Sequence, residues 1–137
     1  MHTIRRLSSC LTILLCSCLL TLAAQAQTSA DFELSSGDYR IRIFSQLTPL
    51  QINRIHSWEL EVLNSSGSVI EVASITVSGG MPDHDHGLPT TPQVTERLAN
   101  GRYLLEGIRF HMPGRWLLQI SIDGPDGESS TDLEFSL

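Results

Sequence analysis

The chain has 137 residues, a formal net charge of −6, and nine basic residues that are all arginine. A chain of this length fits one domain with a single core. The acidic balance and the lack of a basic cluster argue against nucleic-acid and anionic-membrane partners, because phosphate contacts require clustered Lys or Arg.

Residues 1–26 have the pattern of a cleavable export signal. Arg5 and Arg6 precede an apolar run at residues 11–22, and Ala24-Gln25-Ala26 has the small-x-small form of a signal-peptidase site. We predict cleavage after Ala26. An apolar run this short does not span a bilayer core of about 30 Å stably. The sequence therefore predicts a periplasmic or secreted protein without stable membrane insertion.

The cysteines all lie in the predicted signal. Cleavage would remove Cys10, Cys16 and Cys18, so we expect a mature domain with neither a disulfide nor a thiolate ligand. Loss of two of the nine basic residues, with all 15 acidic residues kept, leaves a net charge of −8. The mature domain must therefore be held together by its core.

After a predicted short lead at residues 27–36, residues 37–137 alternate apolar and polar side chains with the period of β-strands. The clearest alternations are Tyr39, Ile41 and Ile43; Trp58, Leu60 and Val62; and Trp116, Leu118, Ile120 and Ile122. Asn100-Gly101 between apolar runs predicts a hairpin, Gly107 predicts a bulge, and Gly79-Gly80 is expected to end a strand. Seven or eight short strands indicate an all-β, immunoglobulin-like antiparallel sandwich, with Trp58 and Trp116 in its core.

Histidine and methionine gather in two predicted loops. In an extended chain, His84 and His86 project to the same side, with Cα atoms roughly 6.5–7 Å apart, so they can chelate one metal ion. Met81 adds a thioether. His111 and Met112 offer another imidazole and thioether in the second loop.

The ligand types favour copper. Imidazole and thioether without thiolate suit copper in an oxidising compartment, whereas zinc, the second choice, would use His84, His86 and a third histidine such as His56. Calcium fits poorly because Asp83 and Asp85 point away from the histidines. A solvated loop shaped by proline and glycine is the alternative interpretation of residues 81–92.

No enzyme motif is present in the sequence. It has no Gly-x-Ser-x-Gly elbow, no cysteine nucleophile outside the predicted signal and no glycine-rich phosphate loop. We therefore expect a protein that is not an enzyme.

Several blocks resemble the FixH/YtkA-like family of small exported or membrane-tethered bacterial domains. The resemblance covers about residues 37–123 and is carried by residues 52–60, Gly67, Ala73-x-Ile75-x-Val77, Gly80-Met81-Pro82-x-His84-x-His86-Gly87, Gly101-x-Tyr103 and Phe110-His111-Met112-Pro113-Gly114-x-Trp116. It implies an immunoglobulin-like sandwich, a periplasmic or surface role, and links to copper handling and cytochrome oxidase maturation. The chain departs from FixH in its cleavable signal, which speaks against a direct role in oxidase assembly.

The resemblance also implies a ligand set. Met81, His84, His86 and Met112 match the positions of the family's Met/His cluster, and His111 and His56 match it less closely. The first hypothesis is accordingly a copper carrier or buffer that hands its ion to an acceptor. The second is a non-catalytic interaction domain that binds another exported protein through residues 81–92, and the third is a small-molecule-binding sandwich.

Overall fold

A computed structural model describes residues 29–137, and the predicted export signal lies outside the described residues. The strands are β1 (Phe32–Ser36), β2 (Tyr39–Ser45), β3 (His56–Leu63), β4 (Ser74–Met81), β5 (His86–Gly87), β6 (Gln93–Arg97), β7 (Tyr103–Ile108), β8 (Arg115–Gly124) and β9 (Gly127–Ser136). One short 3-10 turn, Pro82–His84, separates β4 from β5. Within residues 29–137, no helix is long and apolar enough to cross a membrane.

The strands form two antiparallel sheets. The first sheet has the order β1-β2-β3-β7-β6 and the second has the order β5-β4-β8-β9. The predicted all-β antiparallel sandwich is confirmed. The prediction of a lead at residues 27–36 is wrong in part, because Phe32 to Ser36 pair with β2 over five residues. The described part of the chain thus has nine strands rather than seven or eight, since β1 lies in the stretch predicted as a lead and β5 has only two residues.

The inward-facing residues of both sheets meet in an aromatic core. Trp58 on β3 and Trp116 on β8 are both fully buried, as predicted. Phe110 lies between them, with ring centroids 6.3 Å from Trp58 and 5.0 Å from Trp116. Each aromatic side chain of this size buries about 150–250 Å², so these three rings hold the two sheets together.

Two predicted backbone features of the first sheet are confirmed. Asn100-Gly101 lies in the connection between β6 and β7, which pair as a hairpin. His56 and Trp58, two residues apart on β3, pair with Ile108 and Leu105, which are three apart on β7. Position 107 is a glycine with φ 82°, and it supplies the extra residue of a bulge.

The two long sides of the sandwich differ. On one side, β1 meets β9 through a Phe32–Phe135 contact, with centroids 5.6 Å apart, and a 2.7 Å hydrogen bond between the hydroxyls of Ser36 and Ser129. The Tyr39 hydroxyl donates to the Gly127 carbonyl from the same side. On the other side, β4 and β6 border an open cleft of about 510 Å³. The sandwich is therefore closed along one side only.

The expected strand end at Gly79-Gly80 is wrong, because β4 continues to Met81. The glycines instead permit a close approach of neighbouring strands. A Cβ at Gly79 would lie 2.8 Å from the Leu118 Cα, and one at Gly80 would lie 2.6 Å from the Gly87 Cα. Only glycine allows β5 to pair with the end of β4 at this distance.

His56 is part of the core rather than of a loop. Its side chain is buried, Nδ1 lies 3.1 Å from the Arg54 carbonyl, and its ring packs 6.1 Å from Trp58 and 5.7 Å from Phe110. Burial lowers the pKa of His56 because the charged imidazolium loses hydration, although the hydrogen bond to the Arg54 carbonyl partly opposes the shift.

We expect Gly80→Ala to destabilise the domain by about 1–3 kcal/mol, because the added methyl group collides with the β5 backbone. The free energy of unfolding from urea titration measures the loss. The matched control is Gly87→Ala, whose Cβ would lie 3.4 Å from the Gly79 carbonyl oxygen, an ordinary contact. Equal effects of the two substitutions would contradict this account of the β4–β5 contact.

We expect the free energy of unfolding to decrease as the pH falls below about 6.5, the ordinary histidine pKa. Because burial lowers the pKa of His56 in the folded state, the unfolded chain binds this proton first, and acid favours unfolding. His56→Phe and His56→Gln should both reduce this pH dependence in urea titrations between pH 5 and pH 7.5. An unchanged slope in both variants would assign the pH dependence to other groups.

Candidate functional site

The segment after β4 is folded more tightly than the sequence predicts. Pro82–His84 form a 3-10 turn and Asp85 adopts a left-handed conformation with φ 50°. The expectation of an extended His84–His86 stretch is therefore wrong. The turn brings the chain back on itself, so that His86 and Gly87 pair with Met81 and Gly80.

The turn nevertheless places His84 and His86 side by side. Their ring centroids are 5.9 Å apart and their planes differ by 19°. His84 is exposed, whereas His86 is half-buried. The predicted proximity of the two imidazoles is present, but it results from a tight turn rather than from strand alternation.

His111 joins this pair from the other predicted loop. Its ring centroid lies 4.8 Å from that of His86, with an interplanar angle of 44°. Both rings contact the indole of Trp116, at 6.4 Å for His86 and 5.6 Å for His111. We call His86 and His111 the histidine pair. Trp116 packs against both members on the side that faces the core, because it is buried between them and the first sheet.

Each member of the histidine pair has a buried ring nitrogen without a hydrogen-bond partner in the described part of the protein: Nε2 of His86 and Nδ1 of His111. The other nitrogen of His86, Nδ1, is 3.3 Å from the Gly87 carbonyl. A carbonyl oxygen only accepts, so Nδ1 carries the proton in this contact and Nε2 keeps a free lone pair. Such a lone pair is what a metal ion requires.

The two methionines occupy different depths. Met81 is 1% exposed, and its methyl group would lie 2.9 Å from a Cβ at Gly114, so its tip packs beneath the second loop. Met112 is half-buried, and its carbonyl accepts a 3.2 Å hydrogen bond from the Trp116 indole N–H. Met81 is also the Cα partner of His86 in the β4–β5 register. Both methionines thus belong to the segments that carry the histidine pair.

Arg115 fixes the turn, a role that the sequence did not reveal. Its guanidinium contacts both Asp83 carboxylate oxygens, at 2.7 and 3.1 Å, and Glu134 on β9 at 3.5 Å. This hydrogen-bonded ion pair lowers the pKa of Asp83 and raises that of Arg115. No sequence spacing links positions 83 and 115, because only the strand register of the second sheet brings them together.

His56, the last predicted ligand, lies apart from these residues. Its ring neighbours are Trp58 and Phe110, and within residues 29–137 it makes no ring contact with another histidine. Among the same residues, no three His, Cys, Asp or Glu side chains are grouped so that they could hold a metal ion. The site that the structure brings together is therefore the histidine pair with His84 at its rim.

No curated protein matches this chain significantly. The crystal structure of FetP from uropathogenic E. coli strain F11 shares 12% sequence identity with it, covering 80% of this chain and 95% of that chain, with a TM-score of 0.49. The model of the YtkA-like family matches residues 30–121, from the residues just before β1 into β8. The match covers well over half of the sequence, and the chain belongs to the YtkA-like family.

Proposed function

We propose that this domain is a metal-binding module, a copper carrier or buffer, and that His86 and His111 hold the ion. The observation that carries the proposal is the pair of adjacent imidazoles, 4.8 Å apart, each with a buried and unpartnered ring nitrogen. A buried polar atom without a partner costs about 1–3 kcal/mol. A metal ion is one partner that such an imidazole nitrogen can take.

The neighbouring side chains favour copper over zinc. Met112 and Met81 supply soft thioethers on the two segments that carry the histidine pair, and thioether with imidazole is a ligand set suited to copper. Structural zinc sites are usually closed by four protein ligands, and no such set is grouped within residues 29–137. The Asp83 carboxylate in the turn before His86 is already engaged by Arg115.

The small number of converging ligands supports exchange of the ion. Two protein nitrogens leave coordination positions for His84 at the rim, for a thioether, or for a ligand from an acceptor. An ion held in this way can be transferred by stepwise ligand replacement. The proposed role is therefore capture and release, in the periplasmic or extracellular space to which the predicted export signal would direct the protein.

A second candidate function is recognition of another exported protein through residues 81–92. The ion pairs from Arg115 to Asp83 and Glu134 connect the turn to the second sheet, and a surface that is already ordered loses less entropy on binding. The two functions separate by their response to a chelator. Partner binding that is unchanged both by EDTA and by a Cu(I)-selective chelator would favour recognition, whereas binding that requires copper would favour transfer of the ion.

We expect the mature protein to bind Cu(I) or Cu(II) with a dissociation constant below about 1 μM, equivalent to about −8 kcal/mol. Isothermal titration measures the affinity, with a competing chelator for Cu(I). His86→Ala combined with His111→Ala should weaken binding at least tenfold, whereas His56→Gln should not. Affinity weaker than micromolar for both ions, unchanged in the double variant, would refute the proposal.

We expect Met112→Leu and Met81→Leu to weaken Cu(I) binding more than Cu(II) binding, because thioether sulfur is a soft ligand that prefers Cu(I). Leucine conserves the side-chain volume, so either exchange should cost less than about 1.5 kcal/mol of stability. Competition titrations under anaerobic conditions measure Cu(I) affinity. An unchanged Cu(I) affinity in both variants would leave imidazole as the sole ligand type.

A further inference from the structure

Strand β4 has an edge that is only partly paired. On one side it pairs with β8 from Ser74 to Gly80, but on the other side β5 covers only Gly80 and Met81. The Leu88 amide extends this contact by one hydrogen bond, donating to the Gly79 carbonyl at 2.9 Å. Within the described residues, no strand pairs with positions 74–78 on this side. We call this stretch the open edge.

The backbone groups that face the open edge follow from the ladder. In an antiparallel ladder the N–H and C=O of one residue point to the same neighbour, and successive residues alternate. The Gly79 carbonyl points toward β5, so the N–H and C=O groups of Val77 and Ile75 point to the same side. Two backbone donors and two acceptors are thus presented there, while the Ile75 and Val77 side chains are buried in the core.

The cleft of about 510 Å³ lies directly beside the open edge. One wall is β4 with the residue before it, and the other wall is the chain leading into β6. The lining is formed by residues 73–77, residues 91–94 and Tyr103. Its volume lies in the range of about 300–1,000 Å³ that is typical of ligand sites. The opposite side of the sandwich is closed by β1 and β9, so the cleft is specific to this side.

The chain already uses part of this edge for strand pairing. β5 and the Leu88 amide that follows it pair with β4 as far as the Gly79 carbonyl. The open edge therefore continues a strand interface that is established at its neighbouring end.

We propose that residues 74–78 of β4, with the adjacent cleft, bind an extended segment of a partner protein by strand addition. Exposed sheet edges recognise peptides in this way, with affinity from main-chain hydrogen bonds and selectivity from alternate side chains. Side chains of the segment on the inner face meet Ile75 and Val77, so they are apolar. Those on the outer face meet the exposed Ser74 and Thr76, so they are polar.

The partner segment carries basic residues. Residues 29–137 contain all 15 acidic side chains of the chain but only seven arginines. Most of these arginines are engaged with carboxylates of the same domain, as in the Arg97–Glu71 pair at 3.2 Å near the cleft. The domain's excess negative charge attracts a basic segment and accelerates its association.

The test uses a synthetic peptide, Lys-Val-Thr-Val-Thr-Val-Lys, added to the isotope-labelled mature protein. We expect amide hydrogen exchange to slow at least tenfold at Ile75 and Val77. Thr76 and Ser78, whose amides point toward β8, are controls on the same strand and should change less. A peptide with proline in place of the central valine should not bind. No binding at millimolar peptide, or binding without protection of Ile75 and Val77, would overturn the proposal.

Thr91→Trp should abolish peptide binding, because Thr91 is exposed and lines the cleft, so that an indole there occupies the space of the segment. Ser65→Trp, at an exposed turn position, is the matched control and should bind as the wild type does. The His86→Ala/His111→Ala variant should also bind the peptide, which separates this proposal from metal binding.

A second copy of this chain is the other candidate occupant of the open edge, and the same experiment detects it. Without peptide, the protection of Ile75 and Val77 could rise with protein concentration while sedimentation analysis shows dimers. That result would identify a second copy of this chain as the occupant and would overturn the proposal of a partner segment. A monomer whose two edge amides exchange freely until peptide is added supports strand addition by a partner.

Discussion

The packing of Trp116 connects the core of this protein to its candidate site. The indole is fully buried and lies 5.0 Å from Phe110, through which it reaches the first sheet. Its upper side contacts the rings of His86 and His111. Its N–H binds the Met112 carbonyl and thereby fixes the loop after Phe110. A side chain in a close-packed core has little conformational freedom. Trp116 therefore gives the two imidazoles that pack on it a fixed surface.

The second determinant of the site is the close contact between β4 and β5. Gly80 permits β5 to lie against β4, and the pairing of Met81 with His86 sets the height of the His86 ring above the sheet. The ion pair between Asp83 and Arg115 holds the intervening turn. This pair is exposed and contributes little to global stability. Its effect is local: it selects one conformation of a turn that could otherwise sample several.

The fold was predictable from the sequence where the pattern was local. Alternation around Trp58 and Trp116 predicted two buried strands, and Asn100-Gly101 predicted the β6–β7 hairpin, because these signals depend on residues close in the chain. β1 was missed although Phe32 and Leu34 alternate with Glu33 and Ser35, because an alternation of only two apolar residues is too short to distinguish a strand from a lead. The contacts of the site were harder to predict. The 4.8 Å approach of His86 to His111 joins two loops, and only the register of the second sheet determines it.

Strand β4 links the two proposals physically. Its C-terminal end, at Met81, carries the β5 pairing that positions His86, and its N-terminal part forms the open edge. A strand added along residues 74–78 would lie end to end with β5 on one side of β4. Both sites therefore depend on the pairing of β4 with β8 from Ser74 to Gly80, which fixes the strand that carries the open edge and the β5 contact.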